Sequence, residues 1–130
     1  MTFADIQTYN DRQTPEDKKI CDILGNTINA FPWFTECKIR HAHPVWFIDW
    51  NPIVGYSKLK DSVRLLFWSG QSFETTGLTS EWSFKAADKR YTNSDQIDTD
   101  QLKERLAQAK IIQRDYKNIV KRKWVLERLI

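Results

Sequence analysis

Apolar positions recur at two different periods along this 130-residue chain, and the change of period divides it into three stretches. Phe3, Ile6 and Tyr9 stand at helical spacing and predict a short helix over residues 3–10. Thr14-Pro15-Glu16-Asp17 reads as the start of a second helix. Thr14 is a capping residue, Pro15 suits the first helical position, and Asp17 sits where a capping box places its acid. Ile20, Ile23, Leu24, Ile28 and Phe31 then form one stripe, and Pro32 stops the helix near residue 30. Beyond that point the period falls to two. Residues 34–41, 45–50, 53–58, 62–68 and 83–91 are rich in aromatic and β-branched side chains and predict five strands. Asp49 to Pro52 and Lys58 to Asp61 read as tight turns, and Gly70 to Ser80 as a longer loop. Such short connections favour antiparallel neighbours, because parallel strands need long crossovers. Asp98 caps a last helix, with Gln101 placed to reach back to it. Its stripe runs through Leu102, Leu106, Ala109, Ile112, Tyr116 and Ile119 toward Trp124.

The order of elements predicts an α+β fold: one domain over residues 1–130, with a five-stranded antiparallel sheet flanked by N-terminal and C-terminal helices. Both longer helices are expected on the same sheet face, and residues 111–130 as a C-terminal helical extension.

Composition narrows the function classes. With 41% hydrophobic and 28% charged residues the chain is an ordinary globular one. A formal charge of +3 does not mark a nucleic-acid binder. The charge is unevenly placed, however: residues 103–130 carry nine Lys/Arg against three Asp/Glu, and residues 1–36 carry three against six. Two cysteines, Cys21 and Cys37, are too few for a disulfide scaffold and match no zinc spacing, which points to a reducing compartment. No signal peptide or membrane-length apolar run is visible, so the expected location is the cytoplasm, with no membrane partner.

Several stretches, taken in order, resemble the YdhG-like family, whose members largely lack an assigned activity. They are Pro44-Val45-Trp46-Phe47, the turn from Asp49 to Pro52, and Val63-Arg64-Leu65-Leu66-Phe67-Trp68-Ser69-Gly70. Leu78, the basic strand Lys89-Arg90-Tyr91, and Ile97-Asp98 before the last helix follow. The resemblance spans roughly residues 14–110. It departs at His41-Ala42-His43, where members often carry a Trp, and it does not extend into residues 111–130. It implies an α-β(5)-α arrangement similar in outline to frataxin. Some members are labelled intracellular iron chaperones, which makes iron the one cofactor the resemblance brings in. Fold likeness by itself does not transfer a function.

The candidate sites divide by chemistry. His41 and His43 stand two apart and, on one strand, would face the same side together with Cys37; these three are the candidate metal ligands. Three ligands fall short of a structural zinc site, so exposed imidazoles at a strand end are the simpler reading. Asp5, Asp11, Glu16, Asp17 and Asp22 are the acids an iron ridge would use, although acids near a helix start also complement its dipole. No nucleophile stands beside a convincing base, Ser69-Gly70-Gln71-Ser72 lacks the glycines of a nucleophile elbow, and no phosphate-cradling loop is present. The expectation is therefore a protein that is not an enzyme. The basic run from Lys117 to Trp124 could touch nucleic acid, but cations near a helix C-terminus are the simpler reading.

The sheet gives the sharper expectation. Both sides of its strands are apolar, and only one can meet the helices. Trp46, Tyr56, Arg64 and Trp68 are expected to share the other face and to form the ligand- or partner-binding surface, beside Arg40 and Lys58. The expected function is a non-enzymatic binding or chaperone-like domain. Its partner would be a small ligand, another protein or a second copy of the chain; frataxin-like iron handling and a nucleic-acid or protein adaptor using the basic C-terminal helix are the alternatives.

Overall fold

A computed structural model describes residues 3–70, 79–80 and 86–113. Helix α1 (Phe3–Asp11) and helix α2 (Pro15–Asn29) open the chain. Strands β1 (Glu36–Arg40), β2 (His43–Ile48), β3 (Asn51–Lys58), β4 (Val63–Phe67), β5 (Thr79–Ser80) and β6 (Ala87–Tyr91) follow. A 3-10 turn (Ser94–Gln96) then leads into helix α3 (Thr99–Ile111). All strand neighbours are antiparallel, in the order β1-β2-β3-β4-β6-β5. The α+β arrangement is the expected one, with five strands of five residues or more. The addition is β5, two residues at the edge within what reads from sequence as loop.

The caps differ in detail from the sequence reading. Thr14 precedes α2 but makes no side-chain cap; its hydroxyl donates instead to Asp17 Oδ2 at 2.9 Å. The same Asp17 oxygen also meets Lys58 Nζ at 2.8 Å. Asp98 does cap α3, accepting from the Gln101 amide at 3.1 Å. A capping box of Asn93 and Gln96 at the 3-10 turn was not anticipated. Glu16 accepts from the Ser94 amide at 2.8 Å and ties that turn to α2.

One core joins the helices to one face of the sheet. Ile6 of α1, Ile20, Leu24 and Ile28 of α2, and Leu102, Leu106 and Ala109 of α3 pack with Cys37, Trp46, Val54, Tyr56, Val63, Leu65, Phe67 and Tyr91. The cross-strand pairs Cys37–Trp46, Trp46–Val54, Val54–Phe67, Tyr56–Leu65 and Val63–Tyr91 show why these strand residues share a face. Trp46 is wholly buried, its ring centroid 5.8 Å from Tyr56 and 6.4 Å from Phe3, and its Nε1 donates to Asn29 Oδ1 at 3.2 Å.

This register corrects the expectation that Trp46, Tyr56, Arg64 and Trp68 share one face. Trp46 and Tyr56 lie under the helices, whereas Arg64 and the side chains in register with it belong to the far face. The cause is the β3–β4 connection. Lys58 pairs with Val63, closed by the Leu59 amide on Ser62 O at 2.7 Å, so even positions of β3 lie across from odd positions of β4. A loop one residue longer or shorter would reverse that parity.

The two hairpin turns also run tighter than the sequence suggested. His41 and Ala42 (φ 51° and 69°) turn β1 into β2, and Asp49 and Trp50 (φ 49° and 64°) turn β2 into β3. Consecutive left-handed residues are the geometry of the two-residue hairpin whose twist matches its strands, here built without glycine. Asn51 and Pro52, expected in the turn, begin β3; Pro52 sits opposite Phe47 beside a bulge. The expected strand residues 83–85, Leu78, and the tail from residue 114 onward, with Tyr116, Ile119 and the basic run Lys117 to Trp124, lie outside the described residues.

Candidate ligand pocket on the far sheet face

The far face carries Glu36, Lys38 and Arg40 from β1, Val45 and Phe47 from β2, Gly55 and Ser57 from β3, and Arg64 and Leu66 from β4, as the pairs Lys38–Val45, Val45–Gly55, Gly55–Leu66 and Ser57–Arg64 require. It mixes apolar side chains with cations where the helix side is almost wholly apolar. A pocket of about 100 Å³ lies here. Val45, Gly55 and Leu66 give it apolar walls; Arg40 and His41 come from the first hairpin, His43 from the start of β2, Arg64 from β4, and Trp68 from just beyond it. No Asp or Glu is among the described residues that line it.

Gly55 is required by the approach of two backbones. A Cβ there would stand 2.5 Å from Pro44 O and 3.3 Å from Val45 Cα, so any side chain would push β2 and β3 apart. At the pocket His43 is half-buried, and burial, followed by the nearby Arg64 and His41 charges, holds its imidazole below the usual histidine range. Its Nδ1 is enclosed and has no hydrogen-bond partner.

Beside the pocket runs a row of alternating cations and rings. The Arg40 guanidinium lies 5.6 Å from the Phe47 centroid, Phe47 and Trp50 are 5.5 Å apart, and Lys38 Nζ is 5.2 Å from the Trp50 centroid. Trp50 is 49% exposed in spite of this. Its left-handed backbone is held by Glu36 and Thr35: the Trp50 amide donates to Glu36 Oε2 at 3.1 Å and the Asp49 amide to Thr35 Oγ1 at 2.7 Å.

The structure does not assemble the expected metal ligands. His41 and His43 are not on one strand, since the chain reverses at residues 41 and 42. Cys37, paired with Trp46, belongs to the helix side, while His43, paired with Arg40, belongs to the far face. Of the candidate iron acids, Asp17 meets Lys58, and Asp22 takes Lys18 at 2.6 Å, with Gln7 and Asn10 each at 3.2 Å. Asp11 meets Lys18 at 3.3 Å, Glu16 holds Ser94, and Asp5 is exposed on α1. Asn10 links this cluster to the core, accepting from Tyr56 Oη at 2.7 Å. Among the described residues no group of three His, Cys, Asp or Glu is placed to hold a metal ion. Cys21 and Cys37 are buried, and burial, with Asp17 and Asp22 nearby, pushes the Cys21 thiol up to about 12, far from a reactive thiolate.

Of the four residues expected to form a binding surface, Arg64, Trp68 and Tyr56 are among the pocket's lining residues, although Tyr56 sends its hydroxyl to Asn10 on the helix side, and Trp46 is core. Val45, Gly55, Ser57 and Leu66 were missed as site residues. The signal available for them was the length of the Lys58–Val63 loop, which sets the parity of β4 against β3. No protein-family model, curated protein or solved structure matches the chain. Among the described residues no helix is long and apolar enough to cross a membrane.

Proposed function

We propose that this protein is a non-enzymatic binding domain whose working surface is the far-face pocket, and that it is related to the YdhG-like family. The observation that carries the first part is the pocket itself, an apolar slot rimmed by Arg40, His41, His43 and Arg64 beside Trp68. Binding sites commonly combine apolar walls with a few convergent polar groups. The kinship is supported by the order of the resembling stretches along the fold: Pro44 to Phe47 in β2, Val63 to Phe67 in β4, Lys89 to Tyr91 in β6, and Ile97-Asp98 before α3. Frataxin-like iron handling is the weaker reading, because Asp11, Glu16, Asp17 and Asp22 are engaged by Lys18, Lys58 and the Ser94 amide, and Asp5 stands apart from them on α1. The adaptor reading rests on tail residues outside the described ones.

A screen of small neutral, cationic and anionic compounds by two-dimensional NMR tests the proposal. Hits should move the Gly55 amide, the Leu66 methyls and the Trp68 indole together, and Trp68→Ala should weaken them while the melt remains cooperative. Hits that converge on another surface, or that bind Trp68→Ala unchanged, would overturn it. If Trp68→Ala instead converts a dimer to a monomer in sedimentation, the face is a subunit interface and the small-ligand assignment fails.

A further inference from the structure

We propose that the pocket takes a small organic anion, with a short branched-alkyl body against Val45, Gly55 and Leu66 and its anionic group at the Arg40–His41–His43 rim. This rests on the reading of the pocket as the working site, and it names the class of ligand.

Three observations converge on it. The first is size. At about 100 Å³ the pocket is smaller than the roughly 150 Å³ apolar cavity that holds a benzene ring, so a short body fits with its polar end left at the mouth. The second is charge. Arg40 lines the pocket beside His41 and His43, with no carboxylate among the described lining residues, so an anion gains attraction there and a cation meets repulsion. Arg40 serves this role well: it is exposed on β1, its guanidinium lies 5.6 Å from the Phe47 ring centroid, and a guanidinium carries five N–H donors. The third is the His43 ring. Its Nδ1 is enclosed beside the pocket without a hydrogen-bond partner, and a buried polar nitrogen in that state is costly. A ligand oxygen would remove that cost by accepting from the tautomer that carries its proton on Nδ1. On the helix side the Trp46 and Tyr56 polar atoms are both satisfied within the fold.

Titrations with isovalerate, isobutanol, isobutylamine and inorganic phosphate separate the parts. Isovalerate should bind and shift Gly55, His43 and Trp68. The alcohol, with the same body but no charge, should bind at least tenfold more weakly, and the amine more weakly still. Phosphate, with charge but no body, should also fall tenfold below isovalerate. Arg40→Gln should weaken isovalerate about tenfold while the melt stays cooperative, and Arg40→Lys should recover part of the loss. Alcohol binding as tight as the acid would overturn the anion assignment and leave the pocket as the working site. Phosphate as tight as isovalerate would overturn the apolar body. If the acid, the alcohol and the phosphate all leave Gly55 and Trp68 unmoved, the inference fails. If the broad screen nevertheless finds a ligand of another class there, the reading of the pocket survives that failure.

Discussion

The two faces of the sheet are built from neighbouring residues of the same strands, yet they do different work. On the helix side the strands present Trp46, Val54, Tyr56, Leu65 and Phe67, each at most 2% exposed and packed against three helices. On the far side the same strands present Arg40, His43, Gly55, Ser57 and Arg64 around a pocket. The helix side is mostly apolar, with the Trp46 and Tyr56 polar atoms paired, and burial of that kind supplies most of a small domain's stability. The far side keeps cations, a strained turn and an unsatisfied imidazole nitrogen, features that cost stability and are expected where a surface has a partner. The comparison teaches that an aromatic side chain in a strand says little until the register is known: Trp46 is core and Trp68 is pocket.

The sharpest way to break that contrast is to truncate a ring on each side. Trp46→Ala should cost about 3–5 kcal/mol, because a large buried ring leaves a cavity and Asn29 loses its donor. Trp68→Ala should cost clearly less, since Trp68 is only partly buried. Urea unfolding of both variants measures the difference. Equal losses would mean that Trp68 is a core residue and that the faces are not distinct in the way described.

Gly55→Ala comes next. The added carbon meets the backbone oxygen of Pro44 at 2.5 Å, and a backbone atom cannot swing aside as a side chain can. A loss of about 2–3 kcal/mol is expected, together with loss of the pocket, because β2 and β3 must separate. A variant with full stability would show that the two strands have slack at this point.

These cases also mark what was legible in the sequence. The helices were readable because their stripes are long: Ile20, Leu24 and Ile28, and Leu102, Leu106 and Ala109, all fall in the core as spaced. Strand positions were readable from period-two alternation, but the sides were not kept everywhere: Ile53 joins Val54 in the core beside the bulge, and the Trp50 ring packs on Phe47. What also failed was the relation between strands. Tyr56 and Arg64 have the same parity, but the Lys58–Val63 pairing sets Tyr56 across from Leu65. Loop closure fixes that register, and alternation within one strand carries no information about it. The turn at His41 and Ala42 was hidden for a related reason. It contains no glycine or asparagine to announce a left-handed conformation, so the two histidines read as strand neighbours rather than as a turn residue and the first residue of the next strand. The acids of α1 and α2 read as a possible ridge because their partners, Lys18, Lys58, Gln7 and Asn10, are recognisable only once the helices pack.

That acid cluster gives a third, smaller prediction on the helix side. Lys58 and Thr14 hold Asp17 below its ordinary value of 3.8; Asp22 is held below the same value by Lys18, Gln7 and Asn10, although burial opposes them. Both folded-state values are depressed, so their stabilisation is complete above the unfolded value and is lost as the pH falls through about 4 toward the folded values. Asp17→Asn should therefore cost about 1 kcal/mol at pH 7, and the variant and parent should converge in acid. Melting temperatures measured from pH 7 down to pH 3 test this. A gap between the two proteins that stayed constant over the range would mean that the carboxylate charge is not what Lys58 stabilises.

The smallest expected effect lies on the far face, in the row Arg40, Phe47, Trp50 and Lys38. Cation–ring contacts at exposed positions are worth about 0.5–1 kcal/mol, and here both cations are on solvent-facing side chains of β1. Lys38→Ala should therefore lower stability by no more than about 1 kcal/mol. Trp50 is a separate case, because its φ of 64° is strained for a bulky residue whatever its ring touches. Trp50→Gly removes that strain and the ring together. If the turn conformation costs more than the ring contacts return, the variant should match or slightly exceed the parent in stability, even though a large aromatic side chain has been deleted. Loss of more than about 1 kcal/mol in Trp50→Gly would show instead that the Trp50 ring stabilises this face as the buried rings stabilise the other, and the contrast between the two faces would narrow.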